Sequence, residues 1–356
     1  MIAGGGTGGH LFPGVAVAEE IAARDETSKV QFVGTSRGIE ARVLPDLGWD
    51  LALIEVSGIK TVGLWGAIKG LFSVPRALWQ SRKIIKAFKP DAVLGVGGYA
   101  SGPVVLMARL MRIKTAILEQ NSIPGLTNKI LGKFAHRIFL AFEQTRKFFK
   151  ANKIEMSGNP IRADIRAQLK AAPSEQSSET LRLFVFGGSQ GAVAVNELVC
   201  SAAALLDQRG VEVDIVHQSG ERDREATDER YSTAGINADV RTFINDMASE
   251  YQRSDLVIAR SGATTIAELG VVGKPAILIP YPSAADNHQV TNAAEMADGG
   301  AALVFEQSET TAEMLAESIA ELAGDQERRE LMGSAMKTLG KPNAAATIAD
   351  WLEAQA

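Results

Sequence analysis

The sequence predicts an α/β protein of two Rossmann-like domains, each a parallel sheet with helices on both faces, facing each other across a cleft. Three observations predict it. Short apolar runs that end in glycine or polar residues alternate with helical stretches along the 356 residues, the pattern of parallel strands joined by crossover helices. Strand, glycine loop and helix head both halves, at Gly4 to Gly9 and at Gly187 to Gly191. The charge divides as well: residues 1 to 162 hold 22 Lys+Arg against 12 Asp+Glu, and residues 163 to 356 hold 15 against 30. The expected domains are 1–165 and 166–340, with 341–356 a C-terminal helix packing back on the first. KAAPSEQSSET, Lys170 to Thr180, has the composition of an exposed linker.

In the first half, GGGTGGH leads into a helix from Leu11 to Ala23. Only Met1-Ile2-Ala3 precede it, where a buried strand normally runs about five or six residues, so the chain is expected to start a few residues late. KVQFVG (29–34), DAVLGVGG (91–98) and KTAILEQN (114–121) are strands; the last ends in Glu119, Gln120 and Asn121, where a strand's C-terminal end displays polar groups. RIFLAF and MSGNPIR follow. In the second half LRLFVFGGSQGA, VEVDIVHQSG, DVRTFIND and SDLVIAR are strand-to-loop units.

Val56 to Pro90 carries Lys60, Lys69, Arg76, Arg82, Lys83, Lys86 and Lys89 and no acid, interleaved with Leu64, Trp65, Ile68, Leu71, Phe72, Val74, Leu78 and Trp79. Cations beside Trp, Phe and Leu fit a segment lying in a membrane interface, each adding up to ~1 kcal/mol near an anionic surface. An amphipathic helix pair on the sheet would explain the apolar residues but not the missing acids.

Several classes are excluded. The one cysteine, Cys200, rules out a disulfide framework and fits a reducing compartment. No secretory signal and no uncharged run long enough to span a bilayer is visible. The histidines, His10, His136, His217 and His288, show no metal spacing. No Walker lysine pattern occurs, and no aspartate-any-aspartate triplet. The second strand ends Gly34-Thr35-Ser36-Arg37 with Glu40 arriving late, which argues against NAD and leaves NADP through Arg37 as the residual nicotinamide reading. No nucleic-acid partner is expected.

Most chemistry per residue lies in Ile258 to Ala293. LVIA (256–259) is a strand, Arg260-Ser261-Gly262 a turn, Ala263 to Val272 a helix ended by Gly273, and AILIP (276–280) the next strand. A helix starting at a glycine turn offers unpaired N–H groups and a positive dipole end to a phosphate. Thr264 and Glu268, four apart, share a face, so Glu268 would sit one turn in, within reach of ribose hydroxyls. Asp286-Asn287-His288-Gln289 could hold a sugar. Alternatively, Thr265 to Glu268 is a capping box in which Glu268 bonds backbone.

GGGTGGHLFPG, GGYASGP, EQNSIPGLTNK, GNPIR, GGSQGA, FINDM and RSGATTIAELGVVGKPAILIPYP, in this order, closely resemble the bacterial peptidoglycan N-acetylglucosaminyltransferases that act on lipid I. The resemblance spans nearly the whole chain. It implies the glycosyltransferase B fold and a cofactor-free, metal-independent, inverting transfer. N-acetylglucosamine would pass from UDP-N-acetylglucosamine to the 4-hydroxyl of undecaprenyl-pyrophosphoryl N-acetylmuramoyl pentapeptide, peripherally on the cytoplasmic membrane face, giving lipid II. It places donor contacts on Thr7, Gly8, Gly9, Asn121 and Arg162. In the second half it places them on Ser189, Ile244 (its backbone reading the uracil), Ala263, Thr264, Thr265, Ile266, Ala267, Glu268 and Gln289. Leu118 stands where relatives can have a histidine, and the Tyr281-to-Gln289 loop differs from some relatives.

A base for the attacking hydroxyl would come from His10, or secondly from Glu119, and the glycine loops would offer amides to the acceptor's pyrophosphate. Membrane contact falls to Trp65, Lys69, Leu71, Phe72, Trp79, Arg82 and Lys86. Competing expectations are a transferase of this fold with another acceptor, a sugar-nucleotide epimerase, and a nucleotide-sugar binding protein without activity.

Overall fold

The computed structural model describes residues 1–56, 64–168, 180–188, 190–284 and 287–356, with backbone alone described for 64–73 and 168. Two compact units form, Met1–Ala163 together with Lys341–Ala356, and Asp164–Gly340. Each is built on an all-parallel sheet. The expected linker falls almost entirely outside the described residues.

The first sheet holds β1 (Ile2–Ala3), β2 (Gln31–Gly34), β3 (Asp50–Leu53), β4 (Ala92–Gly95), β5 (Lys114–Glu119), β6 (Arg137–Leu140) and β7 (Ile154–Glu155), in the order β3-β2-β1-β4-β5-β6-β7. The second holds β8 (Leu181–Phe186), β9 (Val213–Gln218), β10 (Ala238–Arg241), β11 (Leu256–Ala259), β12 (Ala276–Leu278) and β13 (Ala302–Val304), in the order β10-β9-β8-β11-β12-β13. In each, the chain builds outward to one side and then returns to build the other. Order therefore reverses between β1 and β4, and between β8 and β11. Loops leaving the paired strands at such a point diverge and open a crevice at the strands' C-terminal ends. Both glycine-rich loops leave switch-point strands.

Side chains of one strand alternate between faces, and helices cover both. In the first unit Ile2, Leu94, Leu118 and Phe139 pack with Leu11, Val15 and Ala18 of the helix Gly8–Arg24, and with Ala345, Ile348 and Leu352 of the helix Ala344–Glu353. Ala3, Val93, Ile117 and Ile138 face the other way, against Val104, Val105 and Ala108 of the helix Ser101–Leu110. Trp351 meets Phe139 edge-on at 6.2 Å, and Arg24 reaches Asp350 and Glu353 at 2.6 and 3.0 Å, fastening the C-terminal helix to the first unit.

The structure departs from the sequence reading in three places. β3 and β13 are not singled out by pattern: the first is a half-exposed edge, the second three residues long. One helix, Leu64–Phe88, runs through Pro75 where a pair was the alternative. The first long helix begins at Gly8, inside the glycine loop, not at Leu11.

Candidate functional site

In the first unit, β1 runs into Gly4, Gly5 and Gly6, and β4 into Val96, Gly97 and Gly98. The two loops meet main chain to main chain. Gly98 has φ +77°, and a Cβ there would lie 2.2 Å from the Gly5 carbonyl oxygen, a clash no other residue avoids. Gly5 N–H donates to Gly97 O at 3.3 Å. A third group locks the arrangement. Glu40, 1% exposed, accepts from Gly6 N–H at 2.7 Å through Oε2, and from the Thr35 N–H and hydroxyl at 2.9 and 3.0 Å through Oε1. The acid that arrives too late to hold a nicotinamide ribose is turned inward to brace the loop. Its signal in the sequence is faint.

The helix Gly8–Arg24 starts at Thr7 without a side-chain cap, and its first carbonyl bonds run from His10 and Leu11 N–H back to Thr7 O. Thr7 and Gly9 are exposed and Gly8 is half-buried, so this helix start lies at the surface without a side-chain cap, the kind of terminus that favours an anion. His10 is half-buried; its Nδ1 lies 3.2 Å from Gln120 Oε1. The ring rests on Gly97, where a Cβ would come within 2.6 Å of Nδ1.

Glu119 corrects the expectation of a second base. It is 1% exposed, and both oxygens are engaged: Oε1 by Asn121 N–H at 3.1 Å, Oε2 by Gly125 N–H at 3.2 Å and by the Asn128 amide at 2.9 Å. Burial pushes its pKa above the usual carboxylate value, against hydrogen bonds that pull it down. The carboxyl braces the turn into the helix Leu126–Leu131. Asn121, half-buried, accepts the Thr145 hydroxyl at 3.0 Å through its carbonyl, and Arg162 is half-buried in the turn after β7.

In the second unit Gln218 does what Glu40 does in the first. Its Nε2 donates to Gly188 O at 3.0 Å, and its Oε1 accepts Ile244 N–H at 2.8 Å. The expected uracil contact would then fall on the Ile244 carbonyl, because its N–H is held by Gln218. Ser189 lies outside the described residues. At the neighbouring strand, the helix Ala263–Val272 begins at Gly262 without a side-chain cap. Thr265 is thus already helical, so the capping box of the alternative reading does not form around it. Thr264 Oγ1 is buried without a hydrogen-bond partner. Of the remaining residues in this run, Ala263 and Ile266 are buried and Ala267 is half-buried. Glu268 is buried and accepts the Tyr251 hydroxyl at 3.0 Å through Oε2.

Arg260, just ahead of that helix, is buried and bonds the Ile279 and Pro280 carbonyls at 3.0 Å each and Gln307 Oε1 at 2.6 Å. It ties the end of β12 to the turn; pattern reading gave it no role. Gln289 holds Tyr281 N–H at 2.9 Å through Oε1, and its carbonyl accepts the Ser261 hydroxyl at 2.8 Å.

Of the membrane residues, the side chains of Trp65, Lys69, Leu71 and Phe72 lie outside the described ones. Trp79 is 58% exposed, with Lys83 Nζ 4.6 Å above its ring, and Arg82 and Lys86 are exposed on the same helix face. Arg76 is paired with Glu55 at 2.9 Å, just outside the acid-free stretch. Among the described residues no helix is long and apolar enough to cross a membrane, and no cluster of His, Cys, Asp and Glu is arranged to hold a metal.

Residues 1–140 match the glycosyltransferase family 28 N-terminal domain and residues 182–348 its C-terminal domain. Over 350 residues, 98% of this chain and 91% of the relative, the sequence is 50% identical to the UDP-N-acetylglucosamine--N-acetylmuramyl-(pentapeptide) pyrophosphoryl-undecaprenol N-acetylglucosamine transferase of Anaeromyxobacter sp. strain K. The crystal structure of Acinetobacter baumannii MurG superposes with TM-score 0.82 at 33% identity, covering 99% of this chain and 98% of that one. A UDP-N-acetylglucosamine 2-epimerase from Listeria monocytogenes superposes at 0.68 with 15% identity, covering 98% and 94%; it shares the fold.

Proposed function

The chain belongs to glycosyltransferase family 28, and from that premise we propose that it moves N-acetylglucosamine from UDP-N-acetylglucosamine to the 4-hydroxyl of N-acetylmuramoyl pentapeptide on undecaprenyl pyrophosphate. The observation that carries this is 50% identity across 98% of the chain to an enzyme named for that transfer. The epimerase resemblance stops at 15%, so epimerisation is not favoured.

The reaction is one displacement. The acceptor 4-hydroxyl attacks the anomeric carbon, the bond from that carbon to the β-phosphate oxygen breaks, and UDP departs, inverting the centre. His10 takes the hydroxyl proton, a service worth ~10²–10⁴ in rate. The leaving diphosphate needs positive potential, which the uncapped start of Ala263–Val272 supplies through backbone N–H groups. Glu268 accepts from the ribose, with the Tyr251 hydroxyl steadying its carboxylate. The Ile244 carbonyl takes the uracil N3–H. Thr7, Gly8, Gly9, Asn121, Arg162, Ser189, Thr264, Thr265 and Gln289 complete the proposed donor contacts, with the main chain of Ala263, Ile266 and Ala267.

The acceptor is a lipid, which suits the exposed face of Trp79, Arg82, Lys83 and Lys86. Docking there on the anionic cytoplasmic leaflet would place the enzyme where its acceptor is. The 1–165 unit with the C-terminal helix then serves the acceptor and adds part of the donor contacts, and 166–340 supplies the rest.

The test is an incubation with UDP-N-acetylglucosamine and a lipid I analogue in detergent, with EDTA present. A lipid product heavier by one N-acetylglucosamine is expected. UDP release without it, or interconversion of the donor to its 2-epimer, would overturn the proposal; loss of transfer with EDTA would overturn its metal independence.

A further inference from the structure

We infer that Gln120 is a positioning residue that fixes the tautomer and ring orientation of His10; the inference rests on the reading of His10 as the base. Gln120 ends β5 as a neutral amide, 1% exposed, and a buried amide must place donor and acceptor correctly or lose its hydrogen bonds. Its Nε2 lies 2.7 Å from Val96 O. A carbonyl only accepts, so the NH₂ end of the amide is held there and the Oε1 end is turned to His10, 3.2 Å from Nδ1. An amide oxygen also only accepts. In the neutral ring the proton is therefore on Nδ1, and the lone pair is on Nε2.

The geometry leaves little room for another arrangement. The ring lies flat enough on Gly97 that a Cβ there would stand 2.6 Å from Nδ1. The amide is anchored from both sides, since Val96 continues β4 and the adjacent Glu119 braces the turn that follows Gln120. His10 in the first turn of the helix after β1, Gln120 at the end of β5 and Val96 at the end of β4 thus form one hydrogen-bonded line across the first switch point. When Nε2 takes the acceptor's hydroxyl proton, Nδ1–H keeps its bond to Oε1, so nothing rotates during the step. The amide orients the base without putting an anion beside it.

The experiment reads the ring directly, in the full chain with ¹⁵N-labelled histidine. The chain has four histidines, so His10 is assigned by its disappearance in His10→Gln. The expected spectrum at neutral pH shows a protonated Nδ1 and an unprotonated Nε2. Gln120→Met keeps the volume and removes the acceptor. It is expected to mix the tautomers and lower kcat by roughly ten- to a hundredfold, part of what a general base supplies, with the donor KM within about twofold. Gln120→Glu accepts from Nδ1–H whether ionised or not, and protonated it also donates to Val96 O. It should restore the Nδ1–H tautomer and most of kcat.

A wild-type His10 protonated on Nε2 would overturn the inference. So would Gln120→Met with unaltered ring shifts and kcat, or Gln120→Glu no better than Gln120→Met while both melt like wild type. A wild type that fails to transfer sugar would sink the functional reading, while the ring shifts alone would still decide the tautomer.

Discussion

At the switch point of the first sheet a carboxylate, Glu40, ties the glycine loop at Gly6 to Thr35 through three hydrogen bonds, and an imidazole lies against the neighbouring glycine. At the switch point of the second sheet the grip is an amide, Gln218, and the histidine next to it in sequence is sealed in the core. A carboxylate accepts more strongly than a neutral amide, so the Gly6–Glu40 bond is the stronger of the two grips on a glycine loop. Gln218 shares itself between a loop carbonyl and Ile244 N–H, bonds a ligand can exchange. On the proposed reading, one fold plan serves proton transfer in the first unit and binding in the second.

The two histidines give the largest contrast in stability. His217 is fully buried, 2.9 Å from the Tyr231 hydroxyl and 3.1 Å from Asn196 Oδ1, and burial lowers its pKa to about 4. Unfolded, it titrates near 6.5. Below that pH the unfolded chain binds a proton that the folded one refuses, so stability is lost between about pH 6.5 and 4 and then levels off. The shift corresponds to about 3 kcal/mol. Urea melts of wild type and His217→Gln across that window should differ in slope; equal slopes would mean His217 is protonated in the fold.

Glu40→Ala comes next, because it removes the buried carboxylate that holds the Gly6 and Thr35 donors together. A loss of about 2–3 kcal/mol is expected, read by the same melts, and a change under ~0.5 kcal/mol would show the loop holds itself. Glu268→Ala should weaken UDP-N-acetylglucosamine about tenfold, or about 1.4 kcal/mol, by calorimetry; unaltered affinity would make Glu268 a partner of Tyr251 alone. Smallest is Arg82→Gln, the lost charge contributing up to ~1 kcal/mol to binding of vesicles containing phosphatidylglycerol. That loss should fade with added salt, and its absence would place the membrane contact elsewhere.

Legibility in the sequence followed burial. β8 and β11 are almost wholly buried and read as largely apolar runs, LRLFVF, interrupted only by Arg182, and LVIA, the latter with the observed limits. β3 is an edge with exposed ends and carried no such pattern. The glycine loops were legible because positive φ and close main-chain approach demand glycine. The start of the first helix was not, since two glycines and a histidine are poor helix formers that only the switch-point loop makes helical. Glu40, Gln120 and Gln218 escaped for another reason. Each acts on groups between 5 and 110 residues away in sequence, and nothing local marks an amide or a carboxylate as turned inward. Glu119 misled for the converse reason: a strand's C-terminal end displays polar groups to ligands, but this one is folded back on its own turn.

The claim that the first unit supplies the proton acceptor and the second the donor site is tested most directly by His10→Gln. UDP-N-acetylglucosamine affinity and the single-turnover transfer rate would be measured on the same preparation. The account predicts transfer slowed by ~10²–10⁴ with donor affinity within about twofold of wild type. Transfer at the wild-type rate, or a loss of donor affinity as large as the loss of rate, would contradict it.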